Sequence, residues 1–221
     1  FMPDDEFRVP RGITYINFRS PDVGSSAQQT VQAALYAALL SDLFNEFAYP
    51  ARLAGMNFEI YKHSRGISLR VGGYNDKQEL LLQRLLGSIA DPAFSQQRFD
   101  DIRTDMIRSL QNSVAKRPSS QVVDDLNEAL VYGEWGEPAL IAALEKTNLR
   151  ELDDFTQGFW KGATAEVLIY GNYTPDEVEQ LSGMLADVVS SEPAPQLPDR
   201  KILKLAAGES LEYAVDVPHS D

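Results

Sequence analysis

An apolar run that surrounds a helix on nearly all sides is the feature that most limits how this chain can fold. Residues 33–40 are apolar in almost every position, inside a helix predicted to begin at Ser25 or Ser26 and to continue to Tyr49. A surface helix needs only one apolar stripe, whereas a helix that is apolar nearly all round must be covered on more than one side. The sequence therefore predicts a central, buried helix packed against a sheet and further helices.

Four segments carry strand signals. Residues 13–18 alternate between apolar and polar side chains, and residues 57–63 and 67–72 flank a short turn, which predicts a hairpin. Residues 167–170 are nearly all apolar, which favours a strand that is buried on both faces. Strands and helices are partly segregated along the chain, so we expect an α+β fold with a mixed or antiparallel sheet covered on one face by several helices.

Helices fill most of the region after the hairpin. Capping residues and apolar periodicity mark where each one begins. The predicted starts are Asn75, Ser95, Ser119 or Ser120 after the helix-stopping Pro118, a short helix after Pro138, Thr147 and Thr174.

Composition excludes several classes of function. The formal net charge is −13 and the pI is about 4.6, which disfavours nucleic acid and anionic membrane surfaces as partners. The chain has no cysteine, so it can neither form a disulfide nor use a thiol in catalysis. Its longest apolar run, residues 31–40, is too short to span a bilayer.

Residues that could support catalysis do not cluster. A zinc peptidase motif of the form H-x-x-E-H places two imidazoles one helical turn apart, but the chain has only two histidines, His63 and His219. Three adjacent aspartate pairs fall on predicted helices, where neighbouring side chains point about 100° apart and so do not converge on one substrate atom. We therefore predict no catalytic residue and no metal ligand in this chain.

The most specific pattern surrounds the predicted hairpin. The helix before it ends in the run YPARLAG (49–55), the run GYNDK (73–77) opens the next helix, and GN (171–172) follows the late strand. This order resembles the middle, or third, non-catalytic domain of pitrilysin- and insulysin-type zinc metallopeptidases of the M16 family. The residues that carry the resemblance are Tyr49, Ala51, Leu53, Ala54, Gly55, Gly66, Gly72, Tyr74, Asn75, Lys77, Gly171 and Asn172.

The resemblance implies a fold and a domain division. Such peptidases contain four α+β domains of the M16 metallopeptidase-like (LuxS/MPP-like) type, arranged as two halves around a closed chamber. Residues 1–12 are then an incoming linker, residues 13–190 the third domain, and residues 191–221 a linker with the first strand of the next domain. The chain reads as a segment of a longer protein. In the motif block, Ala54 and Gly55 are expected to let the helix end pack closely on the hairpin, and the hairpin itself could line the chamber.

The leading hypothesis is a non-catalytic structural domain of a zinc metalloendopeptidase that degrades peptides in an enclosed chamber. It would provide chamber wall and interdomain contacts, while zinc would bind in a catalytic domain of the parent and no cofactor would bind here. Its partners would be the other domains, peptide substrates and, in a homodimer, a second copy. The alternative is an inactive, peptidase-like interaction module. An independent hydrolase has no group of residues to support it. The compartment would be periplasmic in a bacterial, pitrilysin-like protein and cytoplasmic otherwise.

Overall fold

Five strands form one mixed sheet at the centre of the fold. A computed structural model describes residues 1–3, 9–112, 116–189, 201–212 and 214. The strands are β1 (Met2–Pro3), β2 (Arg11–Arg19), β3 (Met56–His63), β4 (Gly66–Tyr74) and β5 (Thr164–Gly171). Their order across the sheet is β1-β5-β2-β4-β3; β1 runs parallel to β5, and the other neighbours are antiparallel. This is the predicted α+β fold with a mixed sheet.

Eight α-helices and one 3₁₀ turn are present in the described part of the chain. They are α1 (Ala27–Leu43), α2 (Asn45–Leu53), the 3₁₀ turn (Asn75–Lys77), α3 (Gln78–Ile89), α4 (Gln96–Gln111), α5 (Pro118–Leu130), α6 (Glu137–Lys146), α7 (Leu149–Lys161) and α8 (Pro175–Ala186). Helix α1 packs on β3 and β4 of the sheet, and α4, α6 and α7 pack on α1.

Helix α1 is the buried centre of the domain, as predicted. Its N-cap is Ser26, whose side chain accepts a hydrogen bond from the Gln29 N–H at 3.2 Å. Leu35, Tyr36 and Leu40 are fully buried, although they point in different directions around the helix. Because the sheet covers one side and three helices cover others, the apolar residues of α1 are removed from water on more than one side.

The predicted helix to Tyr49 is interrupted, and this part of the prediction is wrong. Helix α1 ends at Leu43, Phe44 forms its C-cap, and α2 begins at the next residue. Phe44 is fully buried, with its ring edge-on to Phe58 at 6.2 Å between centroids. The interruption therefore falls at a large side chain that is buried in the core, and the apolar pattern of the sequence does not mark it.

The described helices all lie on one face of the sheet. Along β2, Thr14, Ile16 and Phe18 are buried, while the residues between them remain partly accessible. The prediction that residues 167–170 are buried on both faces is wrong, because Leu168 and Tyr170 are 42% and 43% exposed on the uncovered face. No described helix packs there, so apolar composition alone overstated the burial of β5.

Two predicted helix caps are wrong. Asn75 does not cap α3: it begins the 3₁₀ turn, and its side chain donates to the Asn172 carbonyl instead. Thr147 does not cap α7, because the next residue, Asn148, forms a capping box with Glu151. Pro118 stands at the first turn of α5, so α5 begins at this proline rather than at the serines after it. The predicted start at Thr174 is confirmed.

The ends of the chain differ partly from the expected division. Met2–Pro3 adds a short parallel strand, and Arg11 and Gly12 already belong to β2, so the expected linker is partly sheet. Residues 191–200, the expected second linker, lie outside the described residues. The strand predicted from residue 211 lies mostly outside them as well. Ile202 forms an isolated antiparallel bridge with Val131.

Candidate functional site

The motif residues around the hairpin meet at one end of the sheet. Gly55 has a φ of +71°, a left-handed conformation that favours glycine, and a β-carbon there would lie 2.4 Å from the Tyr74 ring. The Tyr74 N–H donates to the Gly55 carbonyl at 3.2 Å. The predicted role of Gly55 in close packing therefore has two physical causes, the backbone angle and the neighbouring ring.

The GN pair after β5 joins the same junction. The Asn75 side chain donates to the Asn172 carbonyl at 2.6 Å, and the Asn172 N–H donates to the Arg11 carbonyl at 3.0 Å. Gly171 has a φ of +129°, and a β-carbon there would lie 2.5 Å from the Arg11 carbonyl oxygen. A hydrogen bond therefore joins two stretches of the motif that are nearly a hundred residues apart, beside the start of β2.

The sequence analysis missed two residues at this junction. Gln78 is buried, and its amide donates to the carbonyls of Gly12 at 2.8 Å and Gly73 at 3.0 Å. Its oxygen accepts from the Tyr173 hydroxyl at 2.6 Å. Burial raises the pKa of the Tyr173 phenol, so the hydroxyl remains a donor. The positions of Gln78 and Tyr173, directly after GYNDK and GN, were the available signal.

Not every motif residue belongs to the junction. Gly66 lies at the opposite end of the sheet, paired with Arg19. Ala51 is buried, whereas Tyr49 and Leu53, one turn apart on the same helix, are 69% and 72% exposed. The remaining residues of the motif set divide in the same way: Ala54, Gly72 and Asn172 lie at the junction, and Lys77 is exposed beside Asp76.

The uncovered sheet face is a candidate contact surface. Tyr15 is central, between Arg70 of β4 and Leu168 of β5 in register. The Arg70 guanidinium lies 5.5 Å from the centre of the Tyr15 ring, and Tyr61 is 39% exposed on the next row. A trough of about 560 Å³ is lined by six residues of this face and its edge: Tyr15, Asn17, Tyr61, Glu166, Val167 and Leu168. We call this surface the open face.

Acidic pairs do not combine into a catalytic centre. Asp100 bonds to Arg103 at 3.0 Å, and Asp124 bonds to Lys116 at 2.9 Å. Burial, the neighbouring Asp154 and the nearby Asp91 raise the pKa of Asp153. These carboxylates are therefore structural or solvated, as their helical spacing predicts.

The described residues offer no site for a zinc ion. Within them, no three His, Cys, Asp or Glu side chains lie close enough together to hold a metal ion. His63 lies at the end of β3, where its Nδ1 accepts from the Arg65 N–H at 3.2 Å. Burial, followed by the positive charges of Arg19 and Lys62, lowers the pKa of His63. Across the same described ranges, no helix is long and apolar enough to cross a membrane.

Comparison with known proteins identifies the family of this chain. The family model described as the middle or third domain of peptidase M16 matches residues 1–143. The chain belongs to the M16 peptidase family. This confirms the resemblance carried by the motif residues.

Several M16 relatives align with most of the chain. The insulin-degrading enzyme of Homo sapiens is 31% identical over 189 residues, which are 86% of this chain and 18% of that protein. The Schizosaccharomyces pombe protein mug138, which is named provisionally as a zinc protease, is a second relative. It is 29% identical over 99% of this chain and 23% of its own length. The chain thus spans about a fifth of the length of these relatives.

Solved M16 structures share the fold. Pitrilysin superposes with a TM-score of 0.75 at 18% identity, covering 84% of this chain and 20% of that one. A peptidase M16 inactive domain from Pseudomonas fluorescens gives a TM-score of 0.69 at 13% identity, covering 93% of this chain and 50% of that one.

Proposed function

We propose that this M16 middle domain is a non-catalytic part of a zinc metalloendopeptidase, and that its open face forms a section of the wall of a chamber in which peptides are degraded. Zinc and the general base would belong to a catalytic domain elsewhere in a longer polypeptide. Two facts support this: the chain matches about a fifth of the human insulin-degrading enzyme, and its own described residues hold no group of metal ligands.

The open face is the observation that carries the proposed wall. A sheet with one uncovered face normally turns polar residues to water. Here Tyr61, Leu168 and Tyr170 are each about two-fifths exposed on that face. Aromatic and apolar side chains on an open, shallow surface favour contact with another chain, and an extended peptide could lie across them.

Interdomain contact is the second part of the proposal. Tyr49 and Leu53 belong to the family motif, yet the fold leaves both largely exposed. Removing apolar side chains from water lowers the free energy, so a neighbouring domain that covers Tyr49 and Leu53 would be stabilised by the contact. The alternative, an inactive interaction module, uses the same surfaces without catalysis elsewhere in the protein.

The proposal is tested first by metal content and turnover. The 221-residue chain should retain no stoichiometric zinc after dialysis and should not cleave a quenched fluorescent peptide. The longer gene product should retain zinc and cleave the peptide. An upstream H-x-x-E-H sequence in the same reading frame supports the peptidase, and its absence supports the inactive module. Chelator-sensitive cleavage by the 221-residue chain alone contradicts the proposal.

The wall is tested in the longer protein. Leu168→Glu should raise KM several-fold and change kcat little, because a wall residue binds substrate without touching the scissile bond. The matched control is Leu80→Glu, a leucine that is 58% exposed on α3, and it should leave KM unchanged. Equal effects of the two variants would refute substrate contact at the open face.

A further inference from the structure

Helix α5 has its polar side toward the protein and its apolar side toward solvent. None of its thirteen residues is buried, and the α5 side chains that line the cleft between α5 and the start of α6 are all polar. Gln121 donates to the Lys116 carbonyl at 2.8 Å, and Asp124 bonds to the Lys116 side chain at 2.9 Å. This orientation is the reverse of that of an ordinary surface helix, whose apolar stripe faces the core.

The outward side of α5 is a continuous apolar stripe. Val122, Val123 and Leu126 are 46%, 54% and 49% exposed. At 100° per residue, these three side chains share one side of the helix with Ala129 and Leu130. A helix of this length is marginal in water on its own, so a partner on the stripe would supply stability that the described fold does not. We call Val122, Val123 and Leu126 the α5 stripe.

The polypeptide that leaves the domain passes the C-terminal end of this helix. The Tyr132 N–H donates to the Lys201 carbonyl at 2.9 Å, and the Leu203 N–H donates to the Leu130 carbonyl at 2.8 Å. Ile202 and Leu203 are 69% and 46% exposed there and extend the apolar surface. Whatever follows this segment in a longer protein is therefore held close to the α5 stripe, at a high effective concentration.

We propose that the α5 stripe, extended by Ile202 and Leu203, is the surface on which the domain following this one in the same polypeptide docks. This inference rests on the proposed function, because it requires the longer protein. The chain accounts for only 18% to 23% of the length of two M16 relatives, so a protein of their length has room for a following domain. The docked surface would be apolar at its centre and basic at its rim.

Charge argues against the other occupants of the stripe. The chain has a net charge of −13, and Asp125 flanks the stripe on the same helix. A second copy would bring two strongly acidic chains together, and an anionic membrane surface would be repelled. A different domain with basic side chains at its rim meets neither obstacle.

Hydrogen exchange compares the two lengths of the protein directly. The α5 amides should exchange at least about tenfold more slowly in the longer protein than in the 221-residue chain, because docking buries the stripe. Amides of α1, buried in both proteins, provide the internal reference. Equal α5 exchange in the two proteins would overturn the proposal.

A substitution then identifies the surface. Leu126→Asp should return α5 exchange in the longer protein to the rate of the 221-residue chain, and it should leave the melting temperature of the 221-residue chain nearly unchanged. Leu80→Asp, on an exposed part of α3, should do neither. Leu126-dependent dimers of the 221-residue chain in sedimentation, or vesicle binding that Leu126→Asp abolishes, would assign the stripe to another occupant and overturn the proposal.

The two proposals can fail separately. A longer protein that lacks peptidase activity but protects α5 would refute the proposed enzyme and keep the docking surface. A longer protein that cleaves peptides and leaves α5 unprotected would keep the enzyme and refute the docking surface.

Discussion

Tyr173 and Gln78 join the loop after β5 to the first turn of α3 through a hydrogen bond of 2.6 Å. The Gln78 amide also donates to carbonyls of β2 and β4, so one buried side chain connects two strands, the loop after β5 and a helix. Few groups in a core can satisfy a hydroxyl and two carbonyls at once, and leaving any of them without a partner is costly. This pair therefore holds the motif junction together.

Replacing Gln78 by leucine should lower the free energy of unfolding by about 2–4 kcal/mol, because Gly12, Gly73 and Tyr173 lose a buried partner. Gln83→Leu, an exposed glutamine on the same helix, is the matched control and should change it by less than about 0.5 kcal/mol. Urea melts measure both. Adding Tyr173→Phe to Gln78→Leu should cost less than the sum of the single changes, since the two side chains are coupled. Strict additivity would contradict the coupling.

Gly55→Val should lower the free energy of unfolding by about 1–3 kcal/mol. Both the φ of +71° and the Tyr74 ring oppose the new side chain. Tyr74→Ala in the same protein should recover part of the loss, because it removes the clash and leaves the backbone strain. Thermal melts measure these variants. Gly87→Ala, on α3 where a β-carbon would have no neighbouring atom within 4 Å, should instead stabilise the protein by about 0.5–1 kcal/mol. A neutral Gly55→Val would show that neither constraint operates.

Features set by neighbouring residues could be predicted from the sequence. The alternation of residues 13–18 and the Thr174 capping pattern depend on spacing within a few residues, and the structure confirms both. Thr147 was predicted as the cap of α7, but threonine and asparagine both cap helices and a local pattern does not separate the two. The structure resolves the choice: the Thr147 hydroxyl donates to the Ala143 carbonyl at 2.8 Å and so completes α6.

Features set by distant residues could not be predicted in the same way. Asn75 has its partner at Asn172, and Gln78 has its partner at Tyr173, so no local window contains either pair. The burial of Leu168 was predicted wrongly. Its apolar side chain favours burial, but the residue type does not tell which face of the sheet the helices cover. The compartment, the homodimer and the absence of nucleic-acid binding stay predictions.

Leu35→Asp should lower the free energy of unfolding by several kcal/mol. Leu35 is fully buried in α1, the helix that the sheet and three other helices surround, so the new carboxylate would have neither water nor a cationic partner. The matched control is Gln83→Asp, the same new charge on an exposed helical position, expected to cost less than about 1 kcal/mol. If urea melts place the two variants at the same midpoint, α1 is not the buried centre of the fold.

The stability of the hairpin should depend on pH through His63. Its pKa is lowered in the folded protein, first by burial and then by the nearby charges of Arg19 and Lys62. Protonation would also remove the Nδ1 acceptor used by the Arg65 N–H. Between the lowered folded pKa and the ordinary value of 6.5, the unfolded chain binds more protons than the folded one, so stability falls as pH drops below about 6.5 and is retained above it.

His63→Asn tests this dependence, because asparagine can still accept the turn hydrogen bond but does not titrate. Urea melts from about pH 8 to about pH 5 should show a smaller loss of unfolding free energy in the variant than in the unchanged chain. His219 is present in both proteins, so its contribution cancels in the comparison. The two proteins should have similar stability near pH 8, where His63 is neutral. Parallel curves over the whole range would show that His63 titrates alike in the folded and unfolded states, against the burial and charge seen around it.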